Sequence, residues 1–370
     1  MTETDLRLLS TVSADGQLRL ELEERELPEL APDQVLIRVE AAPINPSDLG
    51  LLLGGADPRE LSADGDAVVG PIPPAALRGA SARFGSPMPV GNEGAGTVIA
   101  AGSSPEAEAL VGKIVAAVPG GGSYARHVVV PAASCWLMPD GTDPVDAASP
   151  FVNPMTVLVM LETMRDEGHT AIVHTVGASN LGHMLRKACA ADGIGLVEIV
   201  RRPEQVAELE ALGAAHVCDS SSDGFADSLD AALAATGATL CFDAIGGGGL
   251  GGEILAGMER VASAGQEFSR YGSTQLKQLY IYGGLDRGPT TLDRAFGMAW
   301  SVGGWLLPNR LATIPDRVPA LQARVVEELT TTFASSYSSQ ISLAEALDPE
   351  VIRKYARMAS GEKYLVRPWQ

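Results

Sequence analysis

A chain of 370 residues, 46% of them apolar, is long enough for two domains with real cores. Its formal net charge of −19 argues against nucleic acid and anionic membrane surfaces as partners, because an acidic face repels both. The start, Met-Thr-Glu-Thr-Asp-Leu, has no basic and apolar leader, no apolar run is long enough to span a membrane, and the four cysteines form no Cys-x-x-Cys pair, so the expectation is a cytoplasmic protein with free thiols.

Residues 1–150 read as β-rich. Gln17–Glu23 and Gln34–Ala41 alternate apolar and polar residues, Gly94–Ala101 and Lys113–Val118 are apolar and punctuated by glycine, and Ala125–Val130 reads as another short strand. This pattern predicts a small barrel or sandwich. Residues 54–90 are rich in Gly, Pro, Asp and Ala and read as a long loop region.

From Asn153 strands and helices alternate. A helix over 154–165 precedes a strand at Thr170–Thr175, then Gly177-Ala178-Ser179-Asn180-Leu181-Gly182 and a helical run to Ala191. Strands follow at Leu196–Val200, His216–Cys218, Thr239–Ile245 and Lys277–Gly283, with helices at 203–212, 225–235 and 251–262 between them. This order predicts a parallel, doubly wound sheet. Phe296–Leu307 reads as an interface or pocket wall, Pro319–Phe333 as an amphipathic helix and Pro349–Ala359 as a short one. Glu362–Val366 reads as a strand returning to the first domain.

Small residues at 177–182 let the backbone approach a pyrophosphate, and the helix that follows presents N–H groups and a positive dipole end. The turn departs from G-x-G-x-x-G, with Ser179 at the second glycine. An ordinary strand-to-helix turn has the same residues; the strands behind it favour dinucleotide binding. Glu198 has about the spacing of an acid that holds a ribose 2′-hydroxyl, yet lies within its strand. Arg201 and Arg202 stand at the strand's end, where arginine forks match a 2′-phosphate. The cofactor expected is therefore NADP(H).

Several segments in order resemble the zinc-free branch of the medium-chain dehydrogenase/reductases, the quinone oxidoreductase and enoyl reductase group. They are Ile44-Asn45-Pro46-Ser47-Asp48, Pro89–Val98 with Gly91-Asn92-Glu93-Gly94, Asn153-Pro154-Met155-Thr156, Leu212–Val217, and the closing Ser360–Val366. The resemblance implies an α/β protein. A GroES-like β-rich catalytic domain covers 1–150 and is completed by about 335–370; a Rossmann cofactor domain with a doubly wound parallel sheet covers 151–334. It implies a homodimer, a nicotinamide near Asn45, and Asp48 in the same entry motif. Asn-Pro-Ser-Asp is also good helix-capping chemistry. Asn153, Thr156 and Lys363 fall where relatives meet the cofactor. Zinc-dependent relatives carry Cys and His where this chain has 45–48 and Asn92, so no metal is expected.

Ligands of doubly wound sheets bind beyond the strand C-termini, which makes Tyr282, Gly283 and Gly284 pocket-wall candidates. His174 and Glu93 read as structural. Enoyl reductases of this type carry a tyrosine shortly after the Asn-Pro-Ser-Asp motif; residues 49–58 contain none. An enoyl thioester needs a proton and a polarising donor, whereas a reduced quinone takes protons from solvent. The resulting expectation is NADPH-dependent hydride transfer to a quinone-like or activated carbonyl acceptor. An enal or enoyl reductase is the alternative, and a non-enzymatic NADPH-binding protein the second.

Overall fold

The structure, a computed structural model, describes residues 4–370. The chain divides into two compact units, one reaching Val152 and resuming from Gln322 to Gln370, the other spanning Asn153–Leu321. The return to the first unit thus comes within the helix Val318–Glu327 rather than near residue 335. That helix is shorter than the 319–333 pattern, ending before a turn at 328–333.

The first unit is built on two mainly antiparallel sheets. One has strand order Ser62–Asp64, Ala67–Pro71, Gln17–Glu26, Thr4–Val12, Met88–Pro89. The other runs Trp136–Leu137, Ile114–Ala117, Gly94–Ala101, Gln34–Pro43, Tyr364–Val366, Ser339–Ile341, with His127–Pro131 also paired to Gln34–Pro43. The inward residues of these strands, such as Leu8, Leu18, Leu20, Ile37 and Val98, form one continuous core. Residues 54–90 are not a long loop. Asp64-Gly65-Asp66 turns a hairpin, with Gly65 at φ +61°, and the run Ala67–Pro71 pairs with Gln17–Leu20. The high glycine and proline content hid a strand only five residues long.

The closing strand sets the geometry of this unit's polar centre. Tyr364–Val366 pairs antiparallel with the end of Gln34–Pro43, through Leu365 opposite Pro43, and Ile44 N–H donates to the Tyr364 carbonyl. Lys363 is thereby brought beside the Asn45 segment. Ser339–Ile341 runs parallel to the closing strand, and Ser338 N–H donates to the Lys363 carbonyl.

The second unit is a six-stranded, all-parallel sheet in the order Val217–Asp219, Gly195–Val200, Ala171–Thr175, Leu240–Asp243, Lys277–Ile281, Trp300–Gly304. Counted along the unit, this is the order 3-2-1-4-5-6 of a dinucleotide-binding fold, with its switch point between Ala171–Thr175 and Leu240–Asp243. The first three of these strands are near-continuous apolar runs because both faces are covered. The sixth strand lies in the stretch read as a wall. Gly303 and Gly304 masked it; the Tyr280 ring lies over Gly303. The glycine run gives a short strand, Gly246–Gly248, paired with Asp286–Thr290.

No helix among the described residues is long and apolar enough to cross a membrane. Cys189, Cys218 and Cys241 are buried and Cys135 is half-buried, all four as free thiols.

Candidate functional site

In the second unit the strand Ala171–Thr175 ends at Val176, a β-branched residue in the left-handed region at φ +63°. Such a residue is strained, and strain of this kind clusters at ligand sites. Val176 starts a tight turn closed by Ser179 N–H donating to its carbonyl. Ser179 is the N-cap of the helix Asn180–Asp192, its hydroxyl accepting from Gly182 N–H at 3.0 Å. The serine at the second glycine position thus satisfies one of the helix's orphan donors. A Cβ at Gly182 would lie 2.1 Å from the Gly177 carbonyl oxygen, so the helix meets the turn at backbone contact. A Cβ at Gly177 would press on Glu198 at 2.9 Å, and Ala178 is buried against Val200 and Leu209.

Glu198 is buried within its strand, 3.7 Å from the Arg186 guanidinium, and its Oε1 has no hydrogen-bond partner among the described residues. Burial pushes its carboxyl up to about 7, with Arg186 opposing. Arg201 and Arg202 are exposed at the strand's end. The Arg201 N–H makes a long contact to Gln205 Oε1 and the Arg202 carbonyl accepts from the Gln205 and Val206 N–H groups, while neither guanidinium group makes a hydrogen bond or ion pair among the described residues.

At the switch point Thr175 Oγ1 donates to Asp243 Oδ1 at 2.9 Å and accepts from Ala244 N–H at 2.8 Å. Asp243 also accepts from the Ile245 and Gly246 N–H groups, fixing the exit of the fourth strand. His174 is fully buried, and its Nε2 lies 2.7 Å from the Tyr282 hydroxyl, the rings stacked at 5.9 Å. Burial lowers the imidazole to about 3, so it is neutral. Tyr282 is half-buried and is held by His174 on one side and by the Trp305 ring on another. Gly283 is in backbone contact with Ala244, where a Cβ would sit 2.4 Å from the carbonyl oxygen; Gly284 is open. Asn153 and Thr156 are buried in the first turns of the helix Val152–Asp166.

The first unit holds a buried polar network. Asp48 accepts from Asn45 N–H at 2.7 Å and Asn92 N–H at 2.8 Å, one bond on each carboxylate oxygen. Asn92 donates its side-chain amide to Ser47. Asn45 Nδ2 donates to Glu93 Oε1 at 2.9 Å, and Glu93 Oε2 accepts from Phe151 and Val152 N–H. Asn45 Oδ1 is buried without a partner among the described residues. Burial raises Asp48 to about 7 against its two backbone donors, with Glu93 adding to the rise. Burial also raises Glu93, while the Lys363 charge and its donors oppose. Lys363 is buried; desolvation lowers it to about 8, with Glu93 and Asp48 opposing. Its Nζ donates to Ser149 Oγ at 3.0 Å, and Ser149 Oγ lies 2.7 Å from the Tyr337 hydroxyl. No cluster of three or more His, Cys, Asp or Glu suited to a metal occurs among the described residues.

The first unit thus gathers Asn45, Asp48 and Lys363 into one network. The second gathers residues 177–182 with the exit of the second strand, and separately Tyr282 with the switch point. Ser149 and Tyr337 were not legible as site residues. Ser149 belongs to no motif, and Tyr337 is placed only by the pairing of two three-residue strands.

Residues 31–140 match the alcohol dehydrogenase GroES-like domain. Two mitochondrial enoyl-[acyl-carrier-protein] reductases are similar in sequence. The bovine (Bos taurus) protein is 27% identical over 203 residues, 54% of this chain and 48% of its own length. The Arabidopsis thaliana protein is 26% identical over 273 residues, 72% of this chain and 61% of its own. The chain therefore matches only about half to three fifths of these relatives. Among solved structures, one from Mesorhizobium loti assigned as an NADPH:quinone reductase superposes with a TM-score of 0.73 at 26% identity, covering 100% of this chain and 99% of that one. The Etr1p complex with NADP and crotonyl-CoA superposes at 0.69 and 18% identity over 99% of this chain and 100% of that one, a likeness of fold alone.

Proposed function

From the chain's membership of the medium-chain dehydrogenase/reductase group, we propose that it is a zinc-independent reductase that transfers hydride from NADPH to a quinone-like or activated carbonyl acceptor. The observation that carries this reading is the strand, strained turn and helix at 171–192, closed by backbone contact at Gly182 and followed by two open arginines.

NADPH fits the residues present on two counts. The contact between Gly182 and Gly177 leaves a turn without side-chain bulk at a helix N-terminus, which suits a pyrophosphate. The buried Asn45 Oδ1 lacks a partner, and a nicotinamide group would supply one. When bound, the cofactor supplies the hydride and its two electrons.

Within this reading, Gly177, Ala178, Leu181 and Gly182 let the pyrophosphate approach, and Ser179 and Asn180 face it. Arg201 and Arg202 hold the 2′-phosphate with forked donors. The buried Glu198, committed to its strand, is poorly placed to take a ribose hydroxyl. Asn45 meets the reacting end, and Asp48 acts through it, because both its oxygens hold backbone N–H groups. Asn153, Thr156, Gly283, Gly284 and Lys363 border the cofactor, and Tyr282 is a wall of the pocket. The same reading takes the active form as a homodimer.

The similar proteins support NADPH and both acceptor classes: an NADPH:quinone reductase by structure, and enoyl reductases by sequence. The quinone-like reading rests on the absence of tyrosine from residues 49–58. The enal or enoyl alternative draws on the two mitochondrial relatives.

Steady-state NADPH oxidation against quinones, 2-enals and enoyl-CoA thioesters, with and without a zinc chelator, tests this reading. We expect turnover on quinones or small enones that the chelator changes by less than about twofold, since no ligand set for catalytic zinc stands at 45–48 or 92. A clear preference for an enoyl-CoA would reject the acceptor, and loss of activity with chelator would reject zinc independence.

A further inference from the structure

We propose that Lys363, Ser149 and Tyr337 form a proton-donating chain, and that the Tyr337 hydroxyl is the acid that protonates the reduced acceptor. The inference rests on the reductase reading above and on its activated-carbonyl or enal acceptors rather than on quinones, because it supplies the donor that residues 49–58 lack.

Three separate stretches bring the chain together. Ser149 precedes the entry to the helix Val152–Asp166, Tyr337 leads into the strand Ser339–Ile341, and Lys363 leads into Tyr364–Val366. The last two strands pair in parallel, with Ser339 opposite Tyr364, which sets Tyr337 beside Lys363. The Lys363 ammonium lies 5.5 Å from the centre of the Tyr337 ring and 3.0 Å from Ser149 Oγ; Ser149 Oγ is 2.7 Å from the phenol oxygen.

An ammonium can only donate, so Ser149 Oγ accepts from Lys363. Either hydroxyl of the Ser149–Tyr337 pair can donate; the proposed chain uses the arrangement in which Ser149 gives its proton to the Tyr337 oxygen, a bond that favours the phenolate. Ser335 hydrogen-bonds the phenol in the same sense. With its oxygen accepting, the proton of Tyr337 is free to be given to a third group.

The other phenols of this unit are otherwise engaged or enclosed. Tyr124 donates to the Pro43 carbonyl, Tyr355 donates to the Ala346 carbonyl, and Tyr364 is buried. Tyr337 alone among them is half-exposed.

The charged groups facing the chain are Glu93 and Asp48 toward Lys363, and Glu93 and Asp146 toward Tyr337. Burial, reinforced by Glu93 and Asp146, holds the phenol well above its usual range, so it carries its proton throughout the neutral range. The ammonium, lowered to about 8, is the member that loses its proton first as pH rises.

Proton and electron balance is met. Hydride gain leaves the acceptor as an oxyanion. The Tyr337 O–H bond breaks and an O–H bond forms on the acceptor oxygen; an enol so formed tautomerises. The phenolate takes the Ser149 proton, Ser149 takes one from the ammonium, and solvent reprotonates the amine. The net reaction consumes NADPH, acceptor and one solvent proton.

The test compares wild type with Tyr337→Phe, Ser149→Ala, Ser149→Thr and Lys363→Met on a 2-enal, following rates against pH and in deuterium oxide, with NADPH affinity and thermal melting as folding controls. Tyr337→Phe is expected to lower kcat by at least about 10-fold, within the reach of one general acid, and to reduce the solvent isotope effect, with NADPH affinity unchanged. Ser149→Thr, which keeps the hydroxyl, is expected to retain the effect that Ser149→Ala loses. Carbon-13 NMR of the lysine ε-carbons, assigned with Lys363→Met, is expected to show a titration near 8. Wild-type turnover with an unchanged rate, pH profile and isotope effect in folded Tyr337→Phe would overturn the chain alone. Absence of wild-type turnover on every acceptor would overturn the reductase reading and the chain with it.

Discussion

Gly182→Ala is expected to raise the NADPH dissociation constant by about 100-fold or more, roughly 2.7 kcal/mol of binding. The added Cβ would lie 2.1 Å from the Gly177 oxygen and 2.7 Å from its carbonyl carbon. Both are backbone atoms, so no flexible side chain can yield. The helix Asn180–Asp192 must move away from the turn, carrying its N-terminal amides with it. The Ser179 cap then opens, since its hydroxyl accepts from Gly182 itself. Fluorescence titration with NADPH measures the effect. Gly50→Ala is the control, because a Cβ there meets nothing within 4 Å. An affinity within about threefold of wild type would contradict a pyrophosphate at this turn.

Glu93→Ala is expected to destabilise the protein by about 3–5 kcal/mol. The carboxylate accepts from Asn45 Nδ2, Phe151 N–H and Val152 N–H, and all three donors lose their acceptor together. The substitution also removes negative charge facing the buried Lys363 ammonium. The stability curve carries this second effect. Lys363 is lowered in the folded state from 10.5 to about 8, so the unfolded chain binds more protons between those values and stability rises with pH there. Without Glu93 the folded lysine should fall further, and the window should extend below 8. Urea midpoints across pH 6–10 read both effects. In Glu93→Ala/Lys363→Met the loss should be smaller than the sum of the single losses, because the variants share one electrostatic partner. A loss under about 1 kcal/mol in Glu93→Ala would show that the network does not hold the unit together.

Much of the fold was legible where a pattern was long or a motif was complete. The alternation from Asn153 onward pointed to the parallel sheet, because each of the first three strands there is followed directly by a helix. Two features were hidden by glycine. The strand Trp300–Gly304 ends in Gly303-Gly304, which reads as a loop until the Tyr280 ring above Gly303 is seen. The hairpin at 62–71 sits in a stretch whose composition resembles loop, and its pairing with Gln17–Leu20 is long-range.

The site was legible in its pieces but not in its connections. Asn45 and Asp48 stand out in the sequence, yet nothing local indicates that Asp48, which holds Asn45 N–H, also holds Asn92 N–H 44 residues further on. Ser179 looked like a defect in a glycine fingerprint, and the fold uses it as a cap. Glu93 and His174 read as structural, and each is buried; Glu93 also links the Asn45 segment to Phe151 and Val152. Ser149 and Tyr337 required the last two strands of the first unit to be paired before either could be seen beside Lys363.

Dependence of the proposed reductase on NADPH is decided at Arg201 and Arg202. Parallel titrations with NADPH and NADH, on wild type and on Arg201→Ala/Arg202→Ala, isolate the 2′-phosphate. Wild type is expected to bind NADPH more tightly than NADH by about 10- to 100-fold, as forked charge-assisted donors allow, and the double variant to lose this preference with NADH affinity unchanged. Equal affinity of the wild type for the two cofactors would contradict that dependence.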